Sequence, residues 1–240
     1  MRGRYADFDK LEVLTRITGT LVNVSPLRVG AGREAPLGST VDTAPLRVVF
    51  ADGKSVPYIP GSSLKGVLRS LAESIARARN MPVHSPWDPE AREEGDDGTY
   101  CVICGTFGST RLASHVRVYD AYPEGFFAPT FVKTGVGINR DFSGAQPGIL
   151  YTEEQVAPYV RWKFMMDIVN IRVFPQPADE RGGLLRELLE LLANGMVQVG
   201  ARRTVGYGLI RLVEGRYDVY EPRDGRLAKV AEGEIRGGDL

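Results

Sequence analysis

Histidine and cysteine are nearly missing from this chain of 240 residues: His84, His115, Cys101 and Cys104 are all it has. No disulfide scaffold is possible on that count, and in a reducing compartment a Cys-x-x-Cys pair points to metal ligation or redox chemistry. No uninterrupted apolar run reaches the roughly eighteen residues of a membrane span, and Met1 to Asp7 carry no apolar run that could serve as a signal peptide. A cytoplasmic protein without a membrane partner is therefore expected. Net charge is also lacking, since 30 basic residues balance 30 acidic ones. Any attraction to a polyanion must come from local clusters such as Lys65 with Arg69 or Arg202 with Arg203. There is no Walker A motif, no Gly-x-Gly-x-x-Gly opening a helix after a strand, no His-Glu-x-x-His and no Gly-x-Ser-x-Gly. A small-molecule enzyme of the common classes is thereby disfavoured. Internal repeats and low-complexity tracts are absent too, and the length fits one elaborated domain.

What is present reads as alternating strands and helices. Val13, Ile17 and Leu21 recur among β-branched neighbours in a strand over 12–24. A loop rich in glycine and proline follows from Pro26 to Pro45, and Leu46 to Phe50 and Val56 to Ile59 flank the hairpin signal Asp52-Gly53. Leu64, Val67, Leu68, Leu71 and Ile75 share one helical face, with Ser62 or Ser63 as cap and Pro82 as stop. His84 to Gly98 reads as a surface insertion with no stable structure of its own. Val116 and Val118 alternate with His115, Arg117 and Tyr119 in a strand whose second face is polar.

Residues 130–158 form a long excursion holding Lys133, Arg140 and few large aliphatics; it is functional or a mobile solubilising loop. The apolar strand Val160 to Val173, a helix carrying Leu184 to Leu192 and ended by Asn194-Gly195, and a strand pair at Met196 to Val199 and Leu209 to Val219 complete the order. Together they predict an α+β fold: a ferredoxin-like, RRM-like antiparallel sheet with helices on one face. Sheets of this kind form the body of single-strand RNA readers.

Two turns could hold a polyanion. Tyr58 to Ser70 joins a strand end to a helix start and offers backbone N–H groups, Ser62, Ser63, Lys65 and, one turn on, Arg69. Val199 to Gly208 brings Arg202 and Arg203 on a glycine-rich turn between apolar segments. The nucleic-acid reading requires these turns to converge on one groove, with Lys65 and Arg203 on a shared surface. Ser62 and Ser63 can cap, bind, or do both. Cys101 and Cys104 have the knuckle spacing with which two thiolates grip a tetrahedral zinc. His84 and His115 flank them as the remaining ligands, His84 favoured by its place in the loop-rich insertion and His115 alternating onto a polar strand face that could meet RNA or solvent instead. The competing reading makes both cysteines small reduced core residues.

The run Ile59 to Ser70, IPGSSLKGVLRS, the later Cys104 to Ser109, CGTFGS, and Gly200 to Gly208, GARRTVGYG, occur in an order that resembles the repeat-associated RAMP superfamily. More narrowly, they are similar to the backbone subunit of type III CRISPR effector complexes, over about Leu11 to Leu212. The resemblance implies one RAMP domain over 1–240, with a zinc-knuckle-like insertion near 81–112 and an extended thumb hairpin near 130–158. The expected partners are CRISPR guide RNA, target RNA, other subunits and further copies of the chain along the RNA. The family's thumb displaces a nucleotide of the paired target at regular intervals; Lys133 and Arg140 would take phosphates there, with Val136 or Ile138 as wedges. A loop aspartate cuts the target beside each displaced nucleotide and matches Asp42, with Thr43 and Ala44 before Pro45 where the family spacing has one residue. RNA supplies its own 2′-hydroxyl nucleophile, so one carboxylate that moves a proton, or holds Mg or another divalent cation, is enough chemistry. Some such subunits carry a structural zinc. A noncatalytic backbone or capping subunit, or a stand-alone nuclease that processes CRISPR transcripts, are the alternatives.

Overall fold

A computed structural model describes residue 5 and residues 8–30, 41–85, 87 and 98–237. Most of the segment read as a surface insertion, and the middle of the loop before Asp42, lie outside the described residues. Strands β1 (Leu14–Asn23), β4 (Val116–Val118), β7 (Arg161–Val169) and β9 (Leu209–Arg223) and helices α1 (Gly61–Ala78) and α3 (Glu180–Ala193) are the frame. They follow one another as β1-α1-β4-β7-α3-β9 and lie side by side as β9-β1-β7-β4, every pairing antiparallel. That is the ferredoxin-like order. The helices pack on each other and on one face of the sheet, α1 against β4 and α3 against β9.

Additions to the frame carry the rest. Strands β2 (Arg47–Val49) and β3 (Ser55–Pro57) pair where Asp52-Gly53 predicts a hairpin. Strands β5 (Thr130–Ile138) and β6 (Ala145–Val156) pair as a long hairpin between β4 and β7, so the excursion has regular structure. The short β8 (Val197–Gln198) and the longer β10 (Arg226–Ile235) both line the edge of β9 opposite β1. β10 has no counterpart in the sequence reading. Its residues Arg226, Lys229, Glu232 and Glu234 blur the apolar alternation, and charge of this kind is how an exposed sheet edge avoids pairing with other chains.

Strand alternation sends Ile17 and Leu21 of β1 and Trp162, Phe164, Met166 and Ile168 of β7 to the buried face. Leu64, Leu68, Ala72 and Ala76 of α1, and Leu184, Leu185, Leu188 and Leu192 of α3, close the core from above. Asp179 caps α3 by accepting from the Gly182 N–H at 2.9 Å, and Asn194-Gly195 ends it as expected.

The start of α1 differs from expectation. The helix begins at Gly61, so Ser62 and Ser63 are already inside its first turn, and neither side chain caps it. The Gly61 N–H instead donates to Asp120 Oδ1 at 2.8 Å, a residue just past β4. A Cβ on Gly61 would lie 2.2 Å from the Val118 carbonyl oxygen, whereas one on Gly66 would meet nothing. The glycine of the motif is thus a packing requirement for laying the helix on β4. Gly61→Ala should destabilise the fold by about 2–4 kcal/mol, because backbone must move. Gly66→Ala should stabilise it by about 0.5–1 kcal/mol. Thermal unfolding of the two variants beside the native chain checks both signs.

Candidate functional site

The β5–β6 hairpin meets the body at its root. β5 lines one edge of β6, with Thr134 opposite Thr152. The segment 42–43 lines the other edge: the Asp42 N–H donates to the Thr152 carbonyl at 3.1 Å and the Glu154 N–H to the Thr43 carbonyl at 2.9 Å. Asp42 is exposed, and its Oδ2 accepts from the Thr152 N–H at 2.6 Å and from the Thr152 hydroxyl at 3.2 Å. The loop aspartate is therefore held against the hairpin rather than waving free.

Beside it, Glu153 is buried and draws in two cations, Arg202 at 3.0 Å and Arg28 at 3.5 Å. Arg202 also lies over the Tyr151 ring, 4.6 Å from its centroid. Lys133, which pairs with Glu153 across the hairpin, donates to the Tyr207 hydroxyl at 2.5 Å. That hydrogen bond, more than the opposing effect of burial, lowers the Tyr207 pKa from the usual phenol range. Lys133, Gly135, Tyr151, Glu153, Arg202 and Tyr207 enclose a depression of about 190 Å³. The glycine turn and the hairpin root are one unit.

The turn reaches this place because its backbone is compact. Gly208 has φ +74° and a Cβ there would stand 1.9 Å from the Val199 carbonyl oxygen, so no other residue fits. Its N–H donates to the Pro26 carbonyl at 2.8 Å and that of Ala201 to Arg28 at 2.9 Å. Arg202 itself adopts φ 61°. Tyr151, Glu153 and Tyr207 escaped the sequence reading. The alternation of Tyr151, Glu153 and Gln155 along β6 was the available signal, since it puts all three on one face.

The other candidate cations are distributed around α1. Ser62, Gly66, Ser70 and Ser74 form its exposed ridge. On one flank Lys65 and Arg69 line a depression of about 450 Å³ with Phe107, Gly108, Ser109 and Leu112. Arg69 is already committed, donating to Glu73 at 3.0 Å and to the Gly108 carbonyl at 2.8 Å. Burial, and then the neighbouring Arg69 charge, lower the Lys65 pKa. On the opposite flank Arg203, exposed, shares a depression of about 260 Å³ with Val67, Ser70 and Leu71. The two turns do meet at α1, but Lys65 and Arg203 do not share one groove; the helix ridge runs between them. The expectation of a single groove is corrected to two cationic flanks of one helix, so the convergence that the nucleic-acid reading required is not found and lends that reading no support. Positions four apart stay on one face, whereas Lys65 and Val67 differ by about 200° around the axis. Arg140 lies apart from all of these, exposed beyond the end of β5 at the hairpin tip.

His84, Cys101 and Cys104 come together. Their ligand atoms all lie within 4.8 Å of one another and all three residues are buried, so the cluster can hold a divalent metal ion. The Cys104 N–H points at Cys101 Sγ at 3.4 Å. Helix α2 (Cys104–Phe107) starts on the second cysteine and leads into the Gly108 loop that holds Arg69. His115 does not join the cluster. β4 begins only at Val116, so His115 is outside the alternation that placed it on a polar face; it is fully buried. Its ring nitrogens face the carbonyl oxygens of Val169 at 2.8 Å and Tyr5 at 3.0 Å, and its ring stacks on Phe8.

Among the described residues no helix is long and apolar enough to cross a membrane. None of the curated proteins matches the chain. A family model described as the RAMP superfamily matches residues 20–211. That span runs from within β1 into β9 and takes in α1, the His84, Cys101 and Cys104 cluster, the hairpin and the glycine turn. The chain belongs to the RAMP superfamily.

Proposed function

We propose that this chain is a backbone subunit of a type III CRISPR effector complex, which binds guide RNA and cuts the paired target RNA at Asp42. The observation that carries the reading is the junction of the aspartate loop, the hairpin and the glycine turn around Glu153 and Thr152. It gathers one free-edged carboxylate, two cation-bearing elements and a protruding hairpin in a family member. Guide RNA lies over the exposed ridge of α1, where Ser62 and Ser70 allow close approach and Lys65 and Arg203 meet phosphates from either flank. These contacts ignore base identity, as a subunit that accepts any guide requires. The β5–β6 hairpin is the thumb. Its exposed Val136, Ile138 and Leu150 separate guide from target, trading lost stacking for apolar contact, and Arg140 holds a phosphate at the tip.

In the cut, the 2′-oxygen of the target bonds to the adjacent phosphorus while the P–O5′ bond breaks, leaving a cyclic phosphate and a 5′-hydroxyl. Asp42 takes the 2′-hydroxyl proton, and solvent supplies one to the departing oxygen. Among the described residues Asp42 is the carboxylate of this junction without a cation partner, Glu153 being held by arginines and Glu154 by Arg47. It therefore fits as a single protein ligand to a hard cation whose other ligands are phosphate and water. Such a cation would supply charge neutralisation at the phosphate. The His84, Cys101 and Cys104 set is different. Two buried thiols and an imidazole suit zinc rather than Mg, and supply three of the four ligands of a structural zinc site. The test is target cleavage by the complex reconstituted with Asp42→Ala. Retained RNA binding with lost cleavage supports the reading, and unimpaired cleavage rejects it.

A further inference from the structure

We propose that Thr152 is a positioning residue for Asp42: its hydroxyl and N–H fix the carboxylate, so that the hairpin and the cutting group move as one piece. The inference rests on the reading of Asp42 as the group that acts on RNA.

Alternate residues of a strand direct their N–H and C=O groups to opposite edges. At Thr152 both point away from β5 and toward Asp42: the Asp42 N–H donates to the Thr152 carbonyl at 3.1 Å, and the Thr152 N–H returns to Asp42 Oδ2 at 2.6 Å. The threonine hydroxyl joins the same ring, 3.2 Å from Oδ2 and 3.3 Å from the Asp42 nitrogen. One carboxylate oxygen thus has two donors from a single residue. Oδ1 has no protein partner among the described residues and is the oxygen left for substrate.

An exposed aspartate on a loop ordinarily samples several rotamers, and each unproductive one lowers the fraction of time in reacting geometry. Threonine is suited to prevent this. It is β-branched, hence stiff at χ1 and favoured in strands, and its hydroxyl can donate to Oδ2 while accepting from the Asp42 N–H. The next residue extends the attachment, since the Thr43 carbonyl accepts from Glu154 and Thr43 bridges Glu153 in parallel. Residues 42–43 behave as a short added strand on β6. Whatever shifts the hairpin when RNA is bound shifts Asp42 with it.

The experiment compares Thr152→Val and Thr152→Ser with the native chain in the reconstituted complex, by single-turnover cleavage at saturating target and by RNA affinity. Valine keeps the shape and the N–H but removes the hydroxyl, so the cleavage rate should fall about tenfold with affinity unchanged. Serine should restore most of the rate. In an Asp42→Ala background Thr152→Val should have no further effect, because the residue acts only through the carboxylate. Native cleavage by Thr152→Val while Asp42→Ala is inactive overturns the positioning role and leaves the cleavage reading intact. Weakened affinity in Thr152→Val, or additive losses in the double variant, overturn it too. Full activity of Asp42→Ala overturns both.

Discussion

Stripping metal from the His84, Cys101 and Cys104 cluster is expected to cost the chain several kcal/mol of stability. Structural zinc bound by such ligands is worth about 10–16 kcal/mol in small peptides, while a whole domain retains only about 5–15. Without the ion, two thiols and an imidazole remain buried with their ligand atoms within 4.8 Å of one another. The damage should spread along a visible route. Cys104 opens α2, α2 leads to Gly108, and the Gly108 carbonyl holds Arg69 beside Lys65. RNA affinity should therefore fall along with stability. The purified chain is expected to contain about one zinc per molecule by elemental analysis. A strong chelator, or Cys104→Ser, should lower its melting temperature by about 10 °C or more. A metal-free chain that melts at the same temperature with and without chelator would make Cys101 and Cys104 ordinary core residues.

Asp42→Ala is expected to slow target cleavage about a thousandfold, within the 10²–10⁴ range of a proton-transferring side chain. Affinity for guide and target should stay within about twofold, since Asp42 is an exposed group whose loss removes no cation from the surface. Asp42→Asn should behave like alanine, because the amide keeps hydrogen bonding to Thr152 but cannot accept the proton. Comparable loss of rate and of affinity would instead identify Asp42 as a structural contact of the hairpin root.

Much of the frame was legible because it depends on local periodicity. The apolar faces of α1 and α3, the Asp52-Gly53 hairpin and the Asn194-Gly195 stop are each fixed by neighbours a few residues apart. The Cys101 and Cys104 pair was legible for the same reason, whereas the scarcity of histidine pointed to His84 and His115 alike and only His84 joins the pair. What escaped depends on distant partners. The cap of α1 comes from Asp120, and the grip on Asp42 comes from Thr152. The charge on Arg202 is answered by Glu153, 49 residues away in β6, where alternation marks the face but not the partner. The face on which Lys65 and Arg203 lie depends on how the glycine turn folds back past Pro26 and Arg28, and so the single groove became two flanks. His115 misled because it sits immediately before the strand whose alternation was assigned to it.

The most direct measurement is a structure of the chain assembled on a guide with its target annealed. Guide phosphates should lie along the Ser62 to Ser74 ridge, between Lys65 and Arg203, with Asp42 Oδ1 within roughly 3–4 Å of a target 2′-oxygen or of one bridging ion or water. RNA on the sheet face opposite the helices, with Asp42 far from every target phosphate, would contradict this placement.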